Sequence, residues 1–427
     1  MTQIATVHSP ADPATVVRSI QVPRRLVASA WGGTETTVVQ TSRALKRAGH
    51  PTRIFTSRAL SSQDVDVVDE VDVRRFPYFY PFLGLSREEE AEMDRKGGNL
   101  VSLSLLRALL QEPGVDLLHA HTGKRLGGIV RTAARLRRIP YVVTLHGNVF
   151  EVPDDERADL LSPIRGKFEW GRALGAMLGA RRVLEDADAV ICVGREEYDV
   201  AREAMPSQRV ELIQNGVDFR RFRSGDGAAF RARIGLASDA RIIMCVSRID
   251  PQKNQLSLVE SMPQVLAEVP DAHLVLVGPV TRPAYLDAVT RRVAELGLGE
   301  RVRIVDGLRP DDPGLIDAFH AADVFCLPSV HEPFGIVVLE AWAAGCPVVA
   351  SRVGGIPGFV REGDDGLLVD ADDATGRAHS LISLLRDSGL AGRLGAAGRW
   401  RARNDFDWSV VAERVTGLYR DLVAGRS

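Results

Sequence analysis

Short apolar runs recur along this chain, separated by loop residues and by stretches with helical spacing. Val16–Val22, Thr52–Thr56, Val115–Ala120, Tyr141–Leu145, Ala189–Val193 and Val210–Ile213 make a first set. Ile242–Val246, His273–Val277, Val302–Val305, Asp323–Pro328 and Pro347–Ser351 make a second. Continuous apolar runs of this kind suit strands buried on both faces. Strands that alternate with helices build parallel sheets covered on both sides, so the fold class is α/β with doubly wound sheets. A chain of 427 residues has room for two such domains, each with a full core. Ile4–His8 reads either as one more strand or as part of a loose extension.

The stretch His331-Glu-Pro-Phe-Gly335-Ile-Val-Val-Leu-Glu340 follows one of these strands and runs into a helix that Gly345 closes. Gly335 lets backbone approach a ligand closely. The amides of Ile336 and Val337 at the helix start lack intrahelical partners and, with the helix dipole, form an anion site. Glu332 lies before the helix and Glu340 lies more than a turn inside it. Phosphate-binding amides between two acids suit a nucleotide sugar. The plain alternative is an ordinary βα turn with two surface acids. Another strand end carries Ser247-Arg248-Ile-Asp-Pro-Gln-Lys253-Asn254, and two cations there can neutralise a diphosphate leaving group.

In the first half, Trp31-Gly32-Gly33-Thr34-Glu35 joins the first strand to a helix that ends at Gly49. The loop has neither the G-x-G-x-x-G of dinucleotide sites nor the Gly-Lys-Ser/Thr of a P-loop. His119 and His121 end one strand and His146 ends the next, which aims them at the crevice where open α/β sheets bind ligands. Asn215-Gly216-Val-Asp218 suits a turn that needs positive φ.

Pro-Ser-x-x-Glu-Pro-Phe-Gly, with Glu340 after Glu332, resembles the E-x7-E signature of family 4 retaining glycosyltransferases, which have the GT-B fold. The Gly-Gly-x-Glu loop, Thr-Leu-His-Gly, Asn-Gly-Val-Asp and the spacing of Arg248 to Lys253 resemble family motifs in the family's order. In the family motif, Ser247 and Asn254 are glycines. The resemblance implies two Rossmann-like domains facing across a cleft. These would be an acceptor-binding domain over 1–222 and a nucleotide-sugar domain over 223–400, with a hinge near Phe219–Gly227. Residues 401–427 would form a helix crossing back to the first domain.

The resemblance also implies roles. Arg248, Lys253 and the amides after Phe334-Gly335 would hold the diphosphate of a UDP- or GDP-type donor, and Gly32 and Gly33 would close over it. Backbone near Gly307 would meet the base, Glu340 the ribose, and Glu332 and His146 the transferred sugar. His119, His121 and Asn215 are further sugar or acceptor contacts. Retention, and proton uptake by the leaving phosphate, rest on the resemblance alone. Neither a metal nor a resident cofactor is expected. The alternatives are a sugar-nucleotide enzyme that does not transfer, such as an epimerase, or a catalytically silent binding protein.

The net charge of −2, with no zinc-finger, RNP or basic-arm pattern, argues against nucleic acid as a partner. Cys192, Cys245, Cys326 and Cys346 each sit in an apolar run, as reduced core thiols of a cytoplasmic protein do. The N-terminus has no signal-peptide pattern, and no run is long enough to span a bilayer. Arg165–Arg182 reads as a basic amphipathic helix, and Phe76–Leu85 as an aromatic loop that either packs on the domain or meets sugar or lipid. Weak peripheral contact with the inner face of the membrane is the corresponding expectation. The acceptor is a hydroxyl of a glycan, a lipid-linked glycan or a small metabolite.

Overall fold

The computed structural model describes residues 16–147, 162–308 and 312–426, and the Ile4–His8 expectation lies outside them. The chain divides into two compact units. The first comprises residues up to Val193, Tyr198–Ile213 and Val411 onward; the second comprises Gly194–Glu197 and Gln214–Val410.

The first unit is built on β1 (Ser19–Val22), β2 (Thr52–Ser57), β3 (Val65–Val68), β4 (Val71–Phe76), β5 (Leu117–Ala120), β6 (Tyr141–Leu145), β7 (Ala189–Cys192) and β8 (Val210–Leu212). Their order is β3-β4-β2-β1-β5-β6-β7-β8, parallel throughout except for the β3–β4 hairpin. Because β1 lies between β2 and β5, the winding reverses there, and the crevice at the carboxyl ends of β1 and β5 is where such sheets bind ligands. Ile20, Val22, Leu118, Ala120, Val143 and Val190 pack into the core on one face. Ile54, Val73, Leu26 and Val38 form a cluster beside β2 and β4. The last helix, Trp408–Ala424, buries Val411, Val415, Leu418 and Tyr419, a stripe with helical spacing whose residues belong to this unit.

The second unit holds β9 (Arg241–Val246), β10 (Ala272–Val277), β11 (Val302–Val305), β12 (Val324–Leu327), β13 (Val348–Ser351) and β14 (Leu367–Val369), ordered β11-β10-β9-β12-β13-β14 and all parallel. Ile242 through Cys245 of β9 are buried, as a central strand covered on both faces requires. The winding reverses between β9 and β12, so the loops after these two strands share the ligand crevice. All four cysteines are free and buried.

Two sequence expectations need correction. The helix expected over Arg165–Arg182 is α-helical only at Arg172–Met177, after a 3-10 turn at Ser162–Ile164. Gly166 and Gly179, with φ of 75° and 64°, break it on either side. Its charges pair with acids outside the segment: Lys167 with Glu89 at 2.9 Å and Arg182 with Asp186 at 2.7 Å. The aromatic loop packs against it, with Phe79 stacked on Trp170 at 5.8 Å and Phe82 bridged to Glu169. The turn at Asn215-Gly216 has no positive φ at either residue. Gly216 is needed there for close approach, since a Cβ would lie 2.8 Å from the Trp408 ring and 2.9 Å from the Phe406 carbonyl. Among the described residues no helix is long and apolar enough to cross a membrane.

Candidate active site

Gly335, at φ 99° and ψ 52°, begins the helix Ile336–Ala344 in a left-handed conformation that favours glycine, and no side chain caps the helix start. The Ile336 and Val337 amides therefore keep the donor character of a helix N-terminus. Phe334 is buried and stacks on Phe359 at 4.7 Å, so it presents backbone to the crevice while its ring anchors the loop. Gly345 closes the helix at φ 84°.

Glu332 is 8% exposed, and its Oε2 accepts from Lys253 Nζ at 2.5 Å and from Ser329 Oγ at 3.3 Å. Lys253 arrives from the other side of the switch point. After β9, Asp250 caps the 3-10 turn Pro251–Lys253, and Asn254 at φ 53° starts the next helix. Two further bonds hold these loops together: Val330 N donates to Gln252 O at 2.9 Å and Gln252 Nε2 donates to His331 O at 3.1 Å. Arg248 is exposed, with a guanidinium nitrogen 3.2 Å from Gln252 Oε1.

A third loop, absent from the sequence expectations for the site, supports Glu332. Gly355 N donates to Glu332 O at 3.0 Å. A Cβ on Gly354 would lie 2.2 Å from that same carbonyl, and one on Gly355 would lie 2.3 Å from Pro333 O. The adjacent glycines in Val353-Gly-Gly-Ile-Pro were the available signal.

Glu340 is half-buried, and burial pushes its carboxyl up to about 7, with the Arg221 charge acting in the opposite direction. Arg221 lies in the short helix Phe219–Phe222, which Asp218 caps. Gly307 follows the edge strand β11 at φ 86°, with nothing near its would-be Cβ. Asn215 is buried. Among the described residues no group of three or more His, Cys, Asp or Glu side chains is arranged to hold a metal ion.

In the first unit, the exposed Gly32 and Gly33 start the helix Gly33–Arg47 beside β1, and Gly32 N donates to Glu35 Oε2 at 3.0 Å. The structure joins the three histidines in one hydrogen-bonded cluster. His119 Nδ1 lies 2.6 Å from Tyr419 Oη and its Nε2 lies 2.6 Å from Thr144 Oγ1. His121 Nδ1 lies 3.0 Å from His146 Nε2, and its Nε2 lies 2.8 Å from Gln21 Oε1. Burial lowers His119 to about 3 and His146 to about 4, and His121 falls well below the usual range for the same reason. All three rings are neutral near pH 7. Sequence reasoning missed Gln21, Thr144 and Tyr419. A glutamine inside the apolar run Ser-Ile-Gln-Val was the one available hint.

The chain matches the family described as glycosyl transferases group 1 over residues 227–401 and the glycosyl transferase 4-like domain over residues 32–216. It is 31% identical over 402 residues to a D-inositol 3-phosphate glycosyltransferase of Rhodococcus jostii, covering 91% of this chain and 84% of that protein. The solved sucrose-phosphate synthase of Thermosynechococcus elongatus superposes with a TM-score of 0.70 at 26% identity, covering 96% of this chain and all of that one (100%). Anabaena HepE, solved in complex with UDP, has the same fold at a TM-score of 0.70, with 19% identity over 95% of this chain and 100% of that one.

Proposed function

The chain belongs to the group 1 glycosyltransferases of family 4, with the GT-B fold, and from that premise we propose that its donor is a nucleoside diphosphate sugar of UDP or GDP type. The observation that carries this reading is the Lys253–Glu332 pair beside the uncapped helix start at Gly335. One ammonium and two amides suit a diphosphate, and a carboxylate beside them suits sugar hydroxyls. A solved neighbour that holds UDP supports the donor class.

In this reading the bond from the anomeric carbon to the diphosphate oxygen breaks, and the acceptor oxygen forms the new glycosidic bond. The acceptor proton passes to the leaving phosphate, on the same face, so configuration is retained. Arg248, Lys253 and the Ile336 and Val337 amides take up the charge that develops on the leaving group, the largest electrostatic demand of the step. Glu340 accepts from the ribose, Glu332 and His146 contact the transferred sugar, and Gly32 and Gly33 approach the diphosphate. The step is assigned to these side chains and amides without a metal or resident cofactor. The acceptor is a hydroxyl compound, and the names of the relatives make D-inositol 3-phosphate the first to try.

Exposed Leu83, Phe168, Trp170 and Met177, on and beside the short helix that begins at Arg172, support weak contact with an anionic membrane surface. Flotation with anionic vesicles at low salt should carry a fraction of the protein, and a result with none afloat removes this contact.

A thermal-shift panel of nucleotide sugars tests the donor. A ligand at 100 times its Kd stabilises by about 2.7 kcal/mol, so the true donor stands out. Absence of a shift with every UDP- and GDP-sugar would overturn the assignment. A shift followed by epimerisation, without release of nucleoside diphosphate, would point to the non-transferring reading.

A further inference from the structure

We infer that Gln21 is a positioning residue that fixes the ring tautomer of His146, so that His146 offers a bare Nδ1, a hydrogen-bond acceptor, at the end of β6. One buried chain of hydrogen bonds in the first unit fixes where the protons lie. Thr52 Oγ1 donates to the His50 carbonyl at 3.0 Å, which uses its only proton. The Ser19 and Thr52 hydroxyls are 3.2 Å apart, so Ser19 must be the donor between them. With its proton committed, Ser19 Oγ can only accept from Gln21, and it lies 3.3 Å from Gln21 Nε2. The amide nitrogen of Gln21 therefore faces Ser19, and its second proton goes to Tyr419 Oη at 3.0 Å.

That orientation sets the rest. Tyr419 accepts from Gln21 and gives its own proton to His119 Nδ1, so His119 carries its proton on Nε2 and donates to Thr144. Gln21 Oε1 only accepts, so His121 carries its proton on Nε2. His121 Nδ1 is then an acceptor and takes a proton from His146 Nε2. A neutral His146 is left with Nδ1 unprotonated. Turning the Gln21 amide round would reverse every histidine, and the Ser19–Thr52–His50 chain is what prevents it. Gln21, His119 and His121 are 0%, 2% and 7% exposed, so water does not compete for these bonds.

The consequence for turnover rests on the reading that His146 meets the transferred sugar: it would accept from a sugar hydroxyl, and a sugar lacking that hydroxyl would lose the contact.

The test is nitrogen-15 NMR of histidine-labelled full-length protein at pH 7, where long-range proton couplings separate the two tautomers. Wild type should show His119, His121 and His146 protonated on Nε2. Gln21→Met should release His146 into a mixture of tautomers and lower kcat/KM by about three- to tenfold, the scale of one hydrogen bond. Tyr419→Phe should release His119 while Ser19 still orients the amide, so His146 keeps its tautomer. A wild-type His146 protonated on Nδ1, or a Gln21→Met spectrum unchanged at His146, overturns the inference. If the spectra change as expected while turnover does not, the tautomer control stands and the assignment of His146 to the sugar falls. Should Gln21→Met not fold, the wild-type spectrum and the Tyr419→Phe contrast still decide.

Discussion

Lys253 and Glu332 are each nearly out of water, with side chains 13% and 10% exposed, and each answers the other's charge. A buried charge left alone is costly, whereas removing both partners together costs much less. Lys253→Met should therefore lower unfolding stability by about 2–4 kcal/mol, and adding Glu332→Gln should restore part of it. Denaturant unfolding of the single and double variants checks this; a double variant no more stable than the single would mean the two groups are not coupled. The two glutamates should fail differently in turnover. Glu332→Gln is expected to lower kcat by about 10², the scale of one lost electrostatic contact. Glu340→Gln should mainly raise the donor KM, because a ribose contact is similar in ground and transition states. Steady-state kinetics of both variants separates the roles. Glu340 also predicts a pH dependence. Burial holds its carboxyl at about 7 against a reference of 4.5. Between those values the folded protein keeps a proton that the unfolded chain has released, so stability falls as pH rises through this window and levels off above it. Glu340→Gln has no such proton, so its advantage over wild type should grow from about pH 5 to pH 7 and then hold, reaching on the order of 1–3 kcal/mol. An advantage that does not change with pH would contradict this assignment.

At the scale of elements, the site depends on how loops wedge against one another. Gly354 and Gly307 both have positive φ, 53° and 86°, so alanine strains both, by roughly 1–2 kcal/mol. Only Gly354 also abuts the Glu332 carbonyl. Gly354→Ala should thus lower Tm and turnover more than Gly307→Ala, and equal losses would mean that the Gly-Gly loop does not position Glu332. The strands were legible where apolar runs were continuous: Tyr141–Leu145 and Val302–Val305 occupy the expected residues. The β3–β4 hairpin was not, because its turn uses Asp69 and Glu70 at φ 46° and 69° in place of the glycine or asparagine that marks such turns. The helix Arg87–Lys96 carried a readable signal that went unused, the capping box of Ser86 and Glu89. The Arg165–Arg182 expectation failed because charge and apolar spacing outweighed its four glycines, whereas in the fold left-handed Gly166 and Gly179 flank a helix confined to Arg172–Met177.

For the whole molecule, two largely parallel sheets each bring loops to a point where the winding reverses, and the residues singled out from sequence lie mainly at those points. The local motifs were readable because each needs a residue type at a fixed offset from a strand end. The polar chain behind the histidines was not, since Gln21 and Tyr419 lie 398 positions apart and only the fold brings them together. Transfer from a nucleoside diphosphate sugar is tested by release of nucleoside diphosphate measured with and without acceptor. With the donor found by thermal shift and a panel of hydroxyl acceptors, release should rise with acceptor, match glycosylated product one for one, and fall by about 10²–10³ in Lys253→Ala. Release that ignores the acceptor, or persists at the wild-type rate in Lys253→Ala, would contradict it.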